Sequence, residues 1–189
     1  MGRRRRFERP AVLVLFAIVV VTLVFYDSRR QKATTALSTK IDRFDNETWI
    51  INVGLFYESW GSSIEDRQFE ESDLSELQPL INDVPSFRFL GLASLSMSDS
   101  ACEVIAKMTA LEQIDLSNTQ ITSAGIQALT VLPNLQYLNI AQTSVNDLAV
   151  ESLISMRSLR TIDLQGAQLT KAGIMRLNKS RPDIKIIDR

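Results

Sequence analysis

Apolar residues recur every 24 positions in the C-terminal half of the chain. Units begin at residues 87, 111, 135 and 159, and a truncated fifth, IKIIDR, ends the sequence. The first two apolar columns are Phe87, Leu111, Leu135, Leu159 and Ile184, and then Leu90, Ile114, Leu138, Ile162 and Ile187. The next two are Leu92, Leu116, Ile140 and Leu164, and then Met97, Ile121, Val145 and Leu169. Chance does not readily align four columns, so the region is a tandem repeat.

Each unit combines two hydrophobic periods. The segment L-x-x-I-x-L alternates as a half-buried strand does, whereas Ile126, Leu129 and Leu132 recur every three residues, as on a short helix. Pro133 and Pro182 then end the helical part. The pattern therefore predicts strand, turn and helix in every unit. Because one such unit cannot bury its own apolar edge, neighbouring units must stack and share a continuous core.

The segment L-x-x-I-x-L-x-x-T-x-I-T-x-A-G-I at 111–126 resembles the leucine-rich-repeat family, in particular the Thr-type repeats of bacterial membrane-anchored proteins. The resemblance implies an α/β fold, namely a short solenoid with a concave parallel sheet and convex helices over residues 87–189. It also implies that another protein binds the concave side. The chain departs from the family at the ninth repeat position, where Thr119, Thr143 and Ala167 replace the usual Asn. We expect looser later turns because these side chains offer fewer hydrogen bonds.

Small residues occupy the fifteenth repeat position, namely Ala101, Gly125, Ala149 and Gly173. The alternation of Ala and Gly indicates a demand for small size rather than for a backbone angle reserved to glycine. It predicts that Gly125→Ala is nearly neutral and that Gly125→Leu is disruptive. Cys102, the single cysteine, follows in the first unit where other units have Ile or Val, and it is interpreted as a small buried hydrophobe.

The N-terminal region predicts a membrane anchor. Pro10–Tyr26 is uncharged and almost wholly apolar, and a helix of that length rises roughly 25 Å, at the short end of a bilayer span. No A-x-A-like cleavage site follows, which favours an uncleaved anchor over a signal peptide. The four arginines at 3–6 place the basic tail, residues 1–9, in the cytoplasm, so a polar, partly helical stalk at 27–48 and the repeats lie outside.

Residues 49–86 fit the period poorly and are interpreted as an N-terminal cap with a degenerate repeat. Trp49–Tyr57 predicts a strand at the open end of the sheet, and Asp73–Leu80 resembles the helical half of a unit. Eight acidic residues and one basic residue lie between Glu58 and Asp83. They suit either a docking surface for a basic partner or a solvated face with a helix N-terminus.

Composition excludes several kinds of chemistry. The chain has no histidine and one cysteine, which excludes His-based catalysis, Cys-rich zinc sites and an internal disulfide, and no motif indicates a cofactor. Residues 1–32 hold eight basic and two acidic side chains, a net charge of +6, and the remaining 13 basic and 20 acidic residues give −7. An acidic folded part does not suit the phosphate backbone of a nucleic acid.

Side chains between the core positions of each strand should point to the concave side and stack into two columns. They are Phe89, Gln113, Tyr137, Thr161 and Ile186, beside Gly91, Asp115, Asn139, Asp163 and Asp188. We expect a protein contact centred on Tyr137, because tyrosine is favoured at interfaces. We further expect the double variant Tyr137→Ala with Asp115→Lys to abolish partner capture without altering the unfolding midpoint.

Three other interpretations of these columns stay open. The sheet could simply be solvated or covered by the stalk, and the chain could be a structural or assembly subunit of a membrane complex. The remote alternative is a hydrolase that uses Asp115 and Asp163, whose backbones should lie roughly 10 Å apart. A smooth sheet offers no pocket for such chemistry.

Overall fold

The computed structural model describes residues 31–37, 39–40, 47–52, 58–64, 69–84 and 86–188. The basic tail at 1–9, the anchor predicted at 10–26 and much of the stalk predicted at 27–48 lie outside these residues. Within the described ranges, no helix has both the length and the apolar character needed to cross a membrane.

The described residues form one seven-stranded sheet whose spatial order follows the chain. The strands are β1 (Glu47–Asn52), β2 (Glu58–Ser63), β3 (Phe87–Gly91), β4 (Gln113–Asp115), β5 (Tyr137–Asn139), β6 (Thr161–Asp163) and β7 (Lys185–Ile187). From β2 onward all neighbours are parallel, whereas β1 pairs antiparallel with β2 at the open end. The predicted α/β parallel sheet is confirmed. β2, which the sequence analysis did not predict, separates β1 from the repeats.

Five α-helices after β1 and β2 cover one face of the sheet in the described residues. They are α1 (Glu71–Asn82), α2 (Asp99–Ile105), α3 (Ser123–Leu129), α4 (Val150–Ser155) and α5 (Lys171–Ser180), and a 3-10 turn, Asp147–Ala149, precedes α4. Each repeat helix or turn begins after an N-cap side chain that accepts a backbone N–H bond, supplied by Ser98, Thr122, Asn146 and Thr170. Because α3 ends at Leu129, Leu132 lies beyond the helix on which the periodicity placed it, although it is buried.

The apolar columns form the core between the sheet and the helices. Leu111, Ile114 and Leu116 are fully buried, as are their equivalents one unit later, and Ile126 and Leu129 pack into the same cluster from α3. The ninth-position threonines are buried too. The hydroxyl of Thr119 donates to the Leu116 carbonyl at 2.6 Å, and Thr143 repeats this bond one unit on. The turn therefore keeps a buried side-chain hydrogen bond without the usual Asn.

A left-handed residue marks the turn after each of four strands. Ser94, Asn118, Gln142 and Gly166 have φ angles of 62°, 54°, 57° and 71°, and they lie 24 residues apart. The backbone N–H of Ser94 donates to the Ser117 carbonyl of the next unit at 2.9 Å, and Asn118 and Gln142 do the same. Only Asn118 and Gly166 are residue types that favour this region, so the sequence pattern did not reveal the column.

The last strand corrects the predicted alignment by one residue. Lys185 pairs with Thr161, Ile186 with Ile162 and Ile187 with Asp163, so Ile186 and Asp188 do not continue the two outward columns. The turn before β7 ends as the turn before β6 does, since Ile184 N donates to Arg181 O and Leu159 N donates to Met156 O. The strand then begins one residue sooner after the turn. Two positions separate Leu159 from Thr161, but only one separates Ile184 from Lys185.

Residues 31–37 and 39–40, within the predicted stalk, are helical and pack against the cap. Leu37 is buried in the main core cluster and Ala33 packs against it. Lys40 forms an ion pair with Glu76 of α1. This segment therefore joins the folded domain on its helical side instead of standing apart from it.

Successive helices are joined at their N-termini by a side chain from the helix before. The Asp99 carboxylate accepts bonds from Thr122 N at 2.7 Å, Thr122 Oγ1 at 2.6 Å and Gly125 N at 3.0 Å. Asp147 repeats the first two bonds on Thr170, which lower the pKa of Asp147. These carboxylates satisfy N–H groups that the first turn of a helix leaves without an intrahelical partner.

The size of the linking side chain sets which residue fits opposite it on the next helix. A Cβ at Gly125 would lie 2.5 Å from Asp99 Oδ1 and 2.9 Å from Cys102 Sγ, and a Cβ at Gly173 would collide with Asp147. Ser123, at the same repeat position, is smaller and bonds Asn146 instead, and there the fifteenth position is Ala149. Neither glycine has a positive φ angle. The structure therefore argues against a neutral Gly125→Ala, because the linking carboxylate occupies the space a methyl group needs.

We predict that Gly125→Ala lowers the free energy of unfolding by about 1 to 3 kcal/mol, because the methyl group displaces Asp99 and breaks its bonds to the next helix. That loss exceeds the gain of about 1 kcal/mol that alanine brings to a helix. Urea unfolding followed by circular dichroism measures the difference.

The double variant Asp99→Ser with Gly125→Ala reproduces the Ser123–Ala149 pairing found one unit later and should regain at least half of the lost stability. Asp99→Ser alone completes a double-mutant cycle and isolates the coupling between the two positions. A Gly125→Ala protein as stable as the parent would show that Asp99 moves aside at no cost.

Candidate protein-binding face

The predicted site residues lie on the face of the sheet that the helices do not cover, here called the open sheet face. It comprises the outward side chains of β3 to β6, namely Phe89, Gln113, Asp115, Tyr137, Asn139, Thr161 and Asp163. Gln113 is exposed and the other six are half-buried, while Ile114, Leu138 and Ile162 between them are fully buried. The strand alternation thus separates this face from the core.

Strand register sets the arrangement around Tyr137. Gln113 and Thr161 lie directly beside it on the neighbouring strands, and Asp115 and Asp163 flank Asn139 two residues further along. Phe89 lies beside Gln113, two strands from Tyr137. The structure therefore brings Asp115, Tyr137 and Asp163 into one group and places Phe89 roughly 10 Å away.

Tyr137 is influenced by both carboxylates. Partial burial raises the pKa of its hydroxyl, and the negative charges of Asp115 and Asp163 raise it further. Tyr137 thus stays neutral well above physiological pH. Its ring and hydroxyl lie in a negative field with no described cation paired to either aspartate.

Each polar residue of the second column also closes a turn at the end of its strand. Asp115 Oδ1 accepts bonds from Ser117 N at 2.9 Å and Ser117 Oγ at 2.7 Å. Asn139 Oδ1 accepts from Ala141 N, and Asp163 Oδ1 from Gln165 N, each at 3.0 Å. A short side-chain oxygen that bonds the backbone two residues on stabilises such a turn. The sequence analysis missed this role, and the signal for it is the aligned Asp, Asn and Asp.

Two arginines near this face form ion pairs with other residues. Arg88 on β3 forms an ion pair with Glu112 at 3.3 Å, and Arg160, just before β6, pairs with Asp183 at 3.2 Å. Asp183 also accepts bonds from Arg181, and the hydrogen bond from Arg181 is the main cause that lowers the pKa of Asp183 to about 2. Asp115 and Asp163 are therefore the charges that dominate the centre of the face.

Arg181 was not singled out in the sequence, although it braces the last unit. Its guanidinium donates to the backbone carbonyls of Ile154, Met156 and Leu159. Ile154 and Met156 belong to the preceding unit and Leu159 begins the unit of Arg181, so one planar guanidinium joins two units. Its role is structural, and it lies outside the open sheet face.

The acidic cap, considered in the sequence as a second docking surface, largely serves the fold where it is described. Glu71 accepts bonds from the amide and hydroxyl of Ser98 and from the hydroxyl of Ser100. Burial opposes ionisation of Glu71, but these bonds outweigh it and lower its pKa. Asp73 completes a capping box with Glu70 at the start of α1. These contacts favour the helix-terminus interpretation.

Cys102 behaves as the sequence predicted. Its thiol is free and fully buried. Burial, with the nearby charges of Asp99 and Glu71, raises the thiol pKa to about 12. A thiol that ionises only in strong base is a poor nucleophile, so Cys102 is a core residue.

Comparison with known proteins identifies the class. The family model described as "Leucine rich repeat" matches residues 109–169, so this part of the chain consists of leucine-rich repeats. A comparison with curated protein sequences gives no match. The family match covers α3, α4 and strands β4 to β6, which carry most of the open sheet face.

Solved structures similar to this chain include the mouse RP105/MD-1 complex, with 25% identity and a TM-score of 0.44 over 58% of this chain. An internalin (InlF) from Listeria monocytogenes has 13% identity and a TM-score of 0.44 over 64% of it. The PEPR1–AtPEP1 structure has 12% identity and a TM-score of 0.34 over 72% of it. This chain spans 18%, 44% and 21% of those three chains.

We predict that Asp115→Ala lowers the free energy of unfolding by about 1 to 2 kcal/mol, because it removes the turn-closing bonds from Ser117. Asp115→Lys should do the same, so the double variant with Tyr137→Ala is not the neutral test of binding that the sequence suggested. Asp115→Asn should change stability by less than about 0.5 kcal/mol, since Asn139 makes the equivalent backbone bond. Equal losses for the Ala and Asn variants in urea unfolding would assign the stabilisation to charge and not to the turn.

Proposed function

We propose that the chain is a non-catalytic protein–protein interaction module that docks its partner on the open sheet face, centred on Tyr137. The proposal rests on a sheet face that the described helices do not cover, on which Tyr137 lies on the strand between those of Asp115 and Asp163 and is influenced by both charges. The leucine-rich-repeat domain itself supports an interaction role.

The open sheet face needs little reorganisation to bind a partner. Its strands are fixed by parallel pairing, and turn bonds at Asp115, Asn139 and Asp163 hold three of its polar side chains. A rigid surface loses little conformational entropy on association. Tyr137 adds a large ring with only two rotatable angles and a hydroxyl that can bond a partner.

The proposal includes the N-terminal anchor. Residues 10–26 would span the membrane with the N-terminus in the cytoplasm and the repeat domain outside, as the apolar run and its arginine flanks indicate. Helical packing of the chain begins by residue 31, so four residues join the anchor to the folded domain. They span at most roughly 14 Å, which would hold the domain close to the bilayer surface.

Site-specific photo-crosslinking tests the docking face. Gln113 and Gln127 belong to the same unit and are both exposed, but Gln113 lies on the open sheet face and Gln127 on α3. We expect a photoreactive amino acid at position 113 to crosslink a defined partner in intact membranes, because that side chain lies beside Tyr137. The same amino acid at position 127 is the matched control and should give no such product.

The adduct would be identified by mass spectrometry after purification in mild detergent. A partner that crosslinks from position 127 and not from position 113 would move the interface to the helical side. Products from neither position, in chains that fold and reach the membrane, would contradict an interaction role for either surface.

Protease accessibility tests the topology. Protease added to intact cells or spheroplasts should remove the repeat domain and leave the segment near Met1 protected, because the bilayer would separate the two. Full resistance until the membrane is breached would reverse the proposed orientation. A mature chain that begins near residue 29 would replace the anchor with a cleaved signal peptide.

A further inference from the structure

We propose that the open sheet face receives a cationic side chain, arginine or lysine, from a basic segment of the partner protein, seated on the Tyr137 ring between Asp115 and Asp163. This inference rests on the proposed function and specifies the chemistry of the partner at the same face. A cationic side chain fits this face because the aromatic ring and the two carboxylates all attract a positive charge.

The strand register makes this site symmetric about β5. Asp115 and Asp163 lie one strand to either side of Tyr137 and two residues further along. With about 4.8 Å between strands and about 3.3 Å per residue, each aspartate backbone is roughly 8 Å from that of Tyr137. A cation above the ring can therefore reach a carboxylate on each side, and the ring attracts it as well.

The two charges have no structural explanation within the sheet. Asn139, which lies between them, closes the same backbone turn with an uncharged amide oxygen. The turns at Asp115 and Asp163 use Oδ1, and within the described residues Oδ2 of each accepts no hydrogen bond. Two aligned carboxylates, each with an unused oxygen, suit charge-assisted bonds from an outside donor.

The two arginines near this face do not neutralise these charges. Arg88 and Arg160 are paired with Glu112 and Asp183. Lys185 extends the first column on β7, beside Thr161, and forms no ion pair with Asp163 among the described residues. The centre of the face therefore has a negative potential that complements a basic partner and would steer its approach.

Binding of a fluorescently labelled hexa-arginine peptide to the full-length chain in non-ionic detergent, followed by anisotropy at low salt, tests this chemistry. The double variant Asp115→Asn with Asp163→Asn should bind about tenfold more weakly, since it removes both charges and keeps both turns. The matched control Glu103→Gln with Glu151→Gln removes two charges from the helical side and should change the affinity less than twofold. An uncharged hexa-citrulline peptide should not bind.

The role of the ring is tested separately from that of the charges. Tyr137→Phe should retain the affinity within about twofold because the aromatic face remains, whereas Tyr137→Leu should weaken binding about threefold to tenfold. Thermal unfolding by circular dichroism shows whether each variant is folded at the assay temperature.

Equal binding by the parent and the double aspartate variant overturns the inference, as does an equal loss in the helical-side control, which would indicate a general charge effect. If position 113 still crosslinks a partner in that case, the proposed function stands and the cationic anchor fails. Tighter peptide binding after Arg29→Gln with Arg30→Gln would show that the chain's own basic segment occupies the face, and this also overturns the inference.

Discussion

A repeat of 24 residues has too little core to be stable alone, and this constraint governs the whole molecule. Each unit buries one edge against the unit before it, so the recurring core residues and strand pairs make stacking possible. The apolar columns supply the common core, and parallel pairing of β2 to β7 supplies the backbone bonds. The cap at the N-terminal end meets the same need with an antiparallel strand and α1.

The stacked units also have to supply hydrogen-bond acceptors for the backbone N–H groups at the helix N-termini. The repeat helices are only six to ten residues long. The chain solves this with acceptors from the preceding unit, as Asp99 does for Thr122. The space available at the next fifteenth position then depends on the size of the acceptor. Asp therefore faces Gly, and Ser123 faces Ala149. What the sequence presents as a demand for small residues is a pairwise contact across two helices.

Sequence periodicity predicted the core and the strands because burial repeats with the unit. It could not predict β2, whose residues carry no repeat pattern, or the register of β7, which depends on one residue fewer between Ile184 and the start of the strand. The left-handed turn column was hidden because Ser94 and Gln142 occupy a conformation that their residue types do not signal. The outward columns on β3 to β6 were predictable, since side chains alternate strictly between the two faces of a paired strand. Whether those columns bind a partner is a question of chemistry that alternation does not answer.

The second outward column separates the structural role of its side chains from the role of their charge. Asp115, Asn139 and Asp163 share one task, which is to close the turn after a strand, and the amide at Asn139 shows that an uncharged oxygen suffices. A carboxylate at this position therefore provides both a turn contact and a charge that the turn does not need. Only Asp115 and Asp163 carry that additional charge, and they lie on either side of the one aromatic residue in the centre of the face. The turn accounts for one oxygen atom of each of these residues, and the charge that it does not need is what we propose a partner recognises.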